Sequence, residues 1–161
     1  MTSDDADPLD RVRRAKARQH SDRWLDGGAV AAGALVAVVP QVGPALAFAV
    51  GVPESVATAF AAATLLTVPL GAYVAGYLGG TGGGSGARHG LAGVGGATLV
   101  AAFTVLHLAG ETVVSFGDVP ASVALVAVTA LGSAVGALGG SVGGRRKRRD
   151  LRHQPSERRF S

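Results

Sequence analysis

Charge is almost absent from the long middle of this chain. Between Gly27 and Gly143 the Lys, Arg, Asp and Glu residues number four: Glu54, Arg88, Glu111 and Asp118. Of the 15 Lys and Arg residues, six precede this body, eight follow it, and Arg88 stands alone in a glycine-rich gap. Runs of more than 20 residues therefore carry no charge at all. A soluble domain of 161 residues must keep a wet face by placing a charged group every few positions. Uncharged runs of this length, built mostly of Ala, Val and Gly, read instead as membrane spans.

Four spans are expected, at residues 27–52, 55–80, 90–110 and 119–143. At ~1.5 Å per residue each is long enough to cross a ~30 Å hydrocarbon core. Pro40 and Pro44 each remove a backbone donor from the first span, so a kink is expected there, with Gln41 placed to bond the freed carbonyls. Pro69 predicts a second kink. Pro53 and Pro120 stand where a helix begins, and Asp118 is placed to cap the fourth span. Residues 81–89 read as a flexible loop. Residues 1–26 carry six acidic and six basic side chains and are expected to be partly helical at the membrane surface, with Trp24 at headgroup level. Residues 144–161 read as a basic, disordered tail. The Ala47-Phe48-Ala49 triplet resembles a signal-cleavage site, but the mixed-sign leader argues against processing there.

Four spans place both ends of the sequence and the Arg88 segment on one side, and these hold all 15 basic residues. The opposite loops hold only Glu54, Glu111 and Asp118. The excess of Lys and Arg on cytoplasmic segments then predicts a multi-pass protein of the cell membrane with both termini in the cytoplasm. A three-span arrangement would put the basic tail outside.

Small residues recur at every fourth position. The row is Gly132, Gly136, Gly140 and Gly144 in the fourth span. It is Ala72, Gly76 and Gly80 in the second, Gly93, Ala97 and Ala101 in the third, and Ala29, Gly33 and Ala37 in the first. No hydrophobic force drives helices together in lipid, so association rests on close van der Waals contact, which small residues permit. The expected fold class is an all-α integral membrane bundle of four helices packed through these rows, with disordered charged ends. The rows serve either packing within one chain or a homo-oligomer interface. Residues 52–57 (VPESVA) and 119–124 (VPASVA) also match, as do parts of 70–84 and 131–144, which suggests duplication of a two-helix hairpin.

Nothing in the body spells out catalysis. There is no HExxH, no Walker loop and no Cys, so no catalytic, cofactor-binding or metal residue is assigned, and no cofactor or enzyme activity is expected. The polar groups with any claim to a site are Gln41 and the pair His107 and Glu111, four residues apart on one helix face. Arg145, Arg146, Lys147, Arg148 and Arg149, together with Trp24, are expected to touch anionic lipid headgroups. Nucleic acid is not an expected partner, because no folded recognition module accompanies the basic run. The favoured role is structural or accessory; the alternative is a small transporter, channel or holin-like pore subunit.

Residues 68–99 contain Pro69 and Gly71 leading into Ala75-Gly76-Tyr77-Leu78, a glycine-rich segment at 79–89, and then Gly90, Gly93 and Gly96. This pattern resembles a family of small membrane proteins of halophilic archaea, classed as a domain of unknown function. The resemblance implies a multi-span membrane protein with no assigned activity.

Overall fold

The computed structural model describes Leu9, residues 24–109 and residues 119–153. Within residues 24–109 and 119–153, four helices lie up and down beside one another. The first consists of α1 (Gly27–Val38), a 3-10 turn (Val39–Gln41) and α2 (Val42–Ala49). The second consists of α3 (Glu54–Thr64) and α4 (Thr67–Gly79). The third runs through α5 (Gly83–Gly90), a π turn (Leu91–Gly95) and α6 (Gly96–Ala109), and the fourth is the single long α7 (Ala121–His153). Three of the four are long and apolar enough to cross a membrane: Gly27–Ala49, Glu54–Gly79 and Ser122–His153. The surface helix expected before Trp24, the loop with Glu111 and Asp118, and residues 154–161 lie outside the described residues.

Local chemistry accounts for the breaks. Asp26 caps α1, its Oδ1 accepting from the amides of Gly28 at 2.9 Å and Ala29 at 3.4 Å. The first helix tightens into its 3-10 turn at Pro40, where an amide donor is missing. Gly51, with φ of 76°, reverses the chain into the second helix. Pro69 disturbs the turn before it: the Val68 amide bonds the Leu65 carbonyl at 3.1 Å, three residues back, instead of that of Thr64.

Helix α4 is the hub. It packs on α1 along one side and on α7 along another, and α5 closes the remaining gap. These contacts are made backbone to backbone. A methyl group on Gly33 would overlap Ala75 and the Gly71 carbonyl; one on Gly76 would overlap the Gly140 backbone. One on Gly90 would strike the Gly136 carbonyl, and one on Gly143 the Tyr73 carbonyl. Ala72 and Ala75 are completely buried. Such approach maximises dispersion contact where lipid supplies no hydrophobic drive, and brings Cα–H groups against facing carbonyls.

Two expectations are corrected. The glycine-rich segment at 81–89 is not a loop throughout: α5 starts at Gly83, although glycine is a poor helix former. Its helix is fixed by tertiary contact, since Gly86 rests on the Gly140 carbonyl and the Gly82 amide donates to the Gly144 carbonyl at 2.9 Å. The fourth helix does not end at 143 with a disordered tail after it, but continues to His153. Arg and Lys are good helix formers, and this extension is docked against the end of the second helix. The row expected in the third helix, Gly93, Ala97 and Ala101, is accompanied by a second one, which faces α7. It is Gly86, Gly90, Gly95 and Thr98, which meet Gly140, Gly136, Ser133 and Gly132. The five-residue step from Gly90 to Gly95 is a π period, so the π turn keeps this face in register with α7. Gly93 is turned toward α1, beside the Val30 carbonyl, and Ala97 is half-buried.

Candidate functional site

At one end of the bundle the start of helix one, the end of helix two, the start of helix three and the extension of helix four converge. His89 is the buried centre of this end, 2% exposed. Its Nε2 accepts the amide of Asp26, the cap of α1, at 2.9 Å. Its Nδ1 lies 2.8 Å from the carbonyl of Ser85, one turn back. An amide can only donate and a carbonyl can only accept, so the ring carries its hydrogen on Nδ1. Its flat face fills the space left by Gly79, where even a methyl group would collide with it. One imidazole thus joins the first helix to the third across the end of the second. Outside it, the Arg88 guanidinium sits over the Trp24 ring, 5.5 Å from the centroid, a second tie between the same two helices.

The extension of α7 is anchored beside it. Lys147 Nζ donates to the Leu78 carbonyl at 2.8 Å, capping the C-terminal end of α4 with positive charge. Tyr77 donates to Asp150 at 3.1 Å, and Asp150 also takes Arg146 at 3.2 Å. The remaining arginines, 145, 148, 149 and 152, recur at helical spacing and with Gly82 and Gly83 line a cleft of about 390 Å³. None of these four makes an ion pair or hydrogen bond among the described residues.

A second polar cluster lies within the spans, where the kinks of helices one and two meet. Gln41 Nε2 donates to the Thr64 carbonyl at 2.8 Å, and Thr64 Oγ1 donates to Gln41 Oε1 at 2.9 Å. Thr67 Oγ1 donates to the same Thr64 carbonyl at 2.6 Å and reaches that of Ala37 at 3.4 Å. Gln41 extends to Ala37 as well, at 3.5 Å. The Thr64 carbonyl is the one that lost its amide partner to the turn before Pro69, so the cluster satisfies a defect made by proline.

The sequence-derived residues therefore separate. Gln41 joins Thr64 and Thr67. His107 lies elsewhere, exposed and stacked on Phe103 with centroids 6.2 Å apart; its proposed partner Glu111 is outside the described residues. Gly132, Gly136, Gly140, Ala72 and Gly76 stand at helix contacts within one chain, whereas Gly80 packs locally on Ser85. Of the expected headgroup residues, Arg146 and Lys147 are engaged by protein atoms, while Arg145, Arg148 and Arg149 face the cleft. Sequence reasoning missed His89 and Arg152. His89 was hidden in a segment read as loop. Arg152 is one helical repeat beyond Arg145, a spacing with meaning only once the tail is helical.

Compared with known proteins, the chain matches no family model, no curated protein and no solved structure.

Proposed function

We propose that this chain is a four-pass protein of the cell membrane with a structural or accessory role and both ends of the sequence in the cytoplasm. The observation that carries the role is the closure of the basic end: α4, α5 and α7 meet at Gly76, Gly86, Gly90, Gly136 and Gly140 without space for even a methyl group. Backbones in contact leave no room between them for an aqueous path. The pore reading would require Gln41, His107 and the span threonines to converge, and Gln41 and His107 do not share a site. The third helix takes the fourth crossing in this proposal. Its π turn and α6 cover 5 and 14 residues, about 28 Å at ~1.5 Å each. Kinship with the halophilic archaeal family, suggested by residues 68–99, is part of the same reading.

Two experiments test it. Purified protein in liposomes is expected to pass no ions or small solutes above empty vesicles; flux abolished by Gln41→Leu would establish the pore instead. For orientation, an impermeant thiol reagent applied to intact cells is expected to label Glu54→Cys but not Gly84→Cys or His153→Cys. The reverse pattern would overturn the topology. Gly84 is suitable because a side chain there meets nothing within 4 Å.

A further inference from the structure

We propose that the cleft between the start of α5 and the extension of α7 is a specific binding site for the phosphate group of an anionic membrane lipid. This deepens the reading of the chain as a membrane protein and rests on it.

The first observation is how selectively the basic residues are used. In a run of five consecutive Arg and Lys residues, Lys147 is held by the Leu78 carbonyl and Arg146 by Asp150. The Lys147 contact, with the Tyr77 hydroxyl on Asp150, pins the extension to helix two and fixes its rotation, while the Arg146 pair lies within the extension itself. That rotation turns Arg145, Arg148, Arg149 and Arg152 together into the cleft at spacings of three, four and seven residues. No carboxylate among the described residues answers them. Four guanidinium groups converging without a counter-charge repel one another, and a phosphate accepting from several planar forks is the partner that relieves this.

The second observation is the floor of the cleft. It is formed by Gly82 and Gly83, where α5 begins with no side-chain cap. The first-turn amides of a helix have no intrahelical acceptor and carry the positive end of its dipole, which adds to the field of the arginines. The Arg145 side chain lies directly over Gly83; a Cβ at that position would come within 2.9 Å of its Nε. Glycine there lets the Arg145 side chain settle against the backbone of the floor.

The third observation chooses a lipid over a free phosphate. Arg145 and Arg149 also line a neighbouring groove of about 520 Å³, whose other walls are Arg146, Tyr73 and Val142. Tyr73 and Val142 belong to the apolar parts of α4 and α7. The groove therefore leads from the arginines toward the bilayer, the path needed by a molecule with a phosphate head and a hydrocarbon body. Free phosphate would use only the polar end.

The test is native mass spectrometry of the full chain in detergent, titrated with phosphatidylglycerol, phosphatidylcholine or inorganic phosphate. Phosphatidylglycerol is expected to bind at a single saturable site, with phosphatidylcholine at least roughly tenfold weaker. The double variant Arg148→Gln, Arg152→Gln is expected to weaken phosphatidylglycerol binding by about tenfold or more, at roughly 1 kcal/mol per basic group. Arg13→Gln, Arg14→Gln removes the same charge at residues with no assigned part in the cleft and is expected to leave binding within about twofold. Equal loss in both double variants would overturn the site in favour of diffuse electrostatics, as would equal binding of the two lipids. Competition by inorganic phosphate at the lipid's own concentration would overturn the lipid assignment in favour of a free-anion site. Circular dichroism checks that each variant is folded. Binding in detergent does not depend on orientation, so a reversed topology and a failed site are separate results.

Discussion

The two halves of the bundle are built on different rules. In the half that contains the basic end, α1, α4, α5 and the last part of α7 touch through their backbones. Gly33, Gly71, Ala72, Ala75, Gly76, Gly86, Gly90, Gly136 and Gly140 are all buried there. In the far half, α2, α3, α6 and the start of α7 carry larger side chains and bury few residues, among them Pro44, Ala57 and Ala124. Phe48, Phe60, Leu99, Val100, Phe103 and Val126 are exposed there, each by 46% or more. A glycine in that half meets a side chain rather than a backbone: Gly43 lies under the Phe60 ring. In water, exposed Phe and Val on this scale would be a liability. In lipid they cost nothing, and close backbone contacts do most to hold helices together. The comparison teaches that cohesion is concentrated in the glycine-rich half, and that the polar ties of His89 and Gln41 supplement it at its end and at its border with the far half.

Substitutions can break or sharpen this contrast, and their effects should fall in a definite order. The largest belongs to Gly140→Val, which forces a branched side chain into the Gly86 and Gly90 backbones. It is expected to lower stability by at least the ~1–3 kcal/mol typical of overpacking, measured by unfolding in mixed micelles. His89→Ala comes next. It leaves a void against Gly79 and removes the ring that accepts from the Asp26 amide, for an expected loss of roughly 2 kcal/mol. Gln41→Leu removes one interhelical tie but leaves Thr67 on the Thr64 carbonyl, so a loss of about 1 kcal/mol is expected. The smallest effect has the opposite sign. Thr129 Oγ1 in α7 is buried with no hydrogen-bond partner among the described residues, and Thr129→Val is expected to stabilise by up to about 1 kcal/mol. A loss of stability there would mean that the hydroxyl has a partner in the bilayer.

Much of the far half was legible in the sequence, because charge and hydropathy mark spans whatever their neighbours do. Pro40 and Pro69 mark the two helix breaks, but Gln41 makes its short bond to the Thr64 carbonyl at the second break rather than to a carbonyl freed at the first. The basic half was less legible, because its structure is decided by tertiary contact. The runs LGGTGGG at 78–84 and LGGSVGG at 138–144 look alike, yet the first ends a helix and the second continues one. Gly82 adopts φ of 121° in the first, a conformation open to it but not to Val142 at the similar place in the second. Beyond Gly144 the Arg and Lys run has good helix propensity and a docking surface in Leu78 and Tyr77. Beyond Gly79 nothing local favours a helix, and α5 exists because Gly86 and Gly90 fit against α7. Composition could not distinguish those cases, and the π register of Leu91–Gly95 is likewise invisible without the partner helix.

The central claim, that backbone contact at glycine holds the molecule together, is tested most directly by adding the same methyl group in two places. Gly140→Ala and Gly96→Ala both replace a helical glycine, but a methyl at 140 meets the backbones of Gly86 and Gly90, whereas one at 96 meets nothing within 4 Å. Unfolding free energies of the two variants in the same micelles are the measurement. The expected result is opposite signs: Gly140→Ala destabilised by roughly 1–3 kcal/mol, and Gly96→Ala stabilised by up to about 1 kcal/mol through helix propensity. Equal shifts, or a stabilised Gly140→Ala, would contradict the claim.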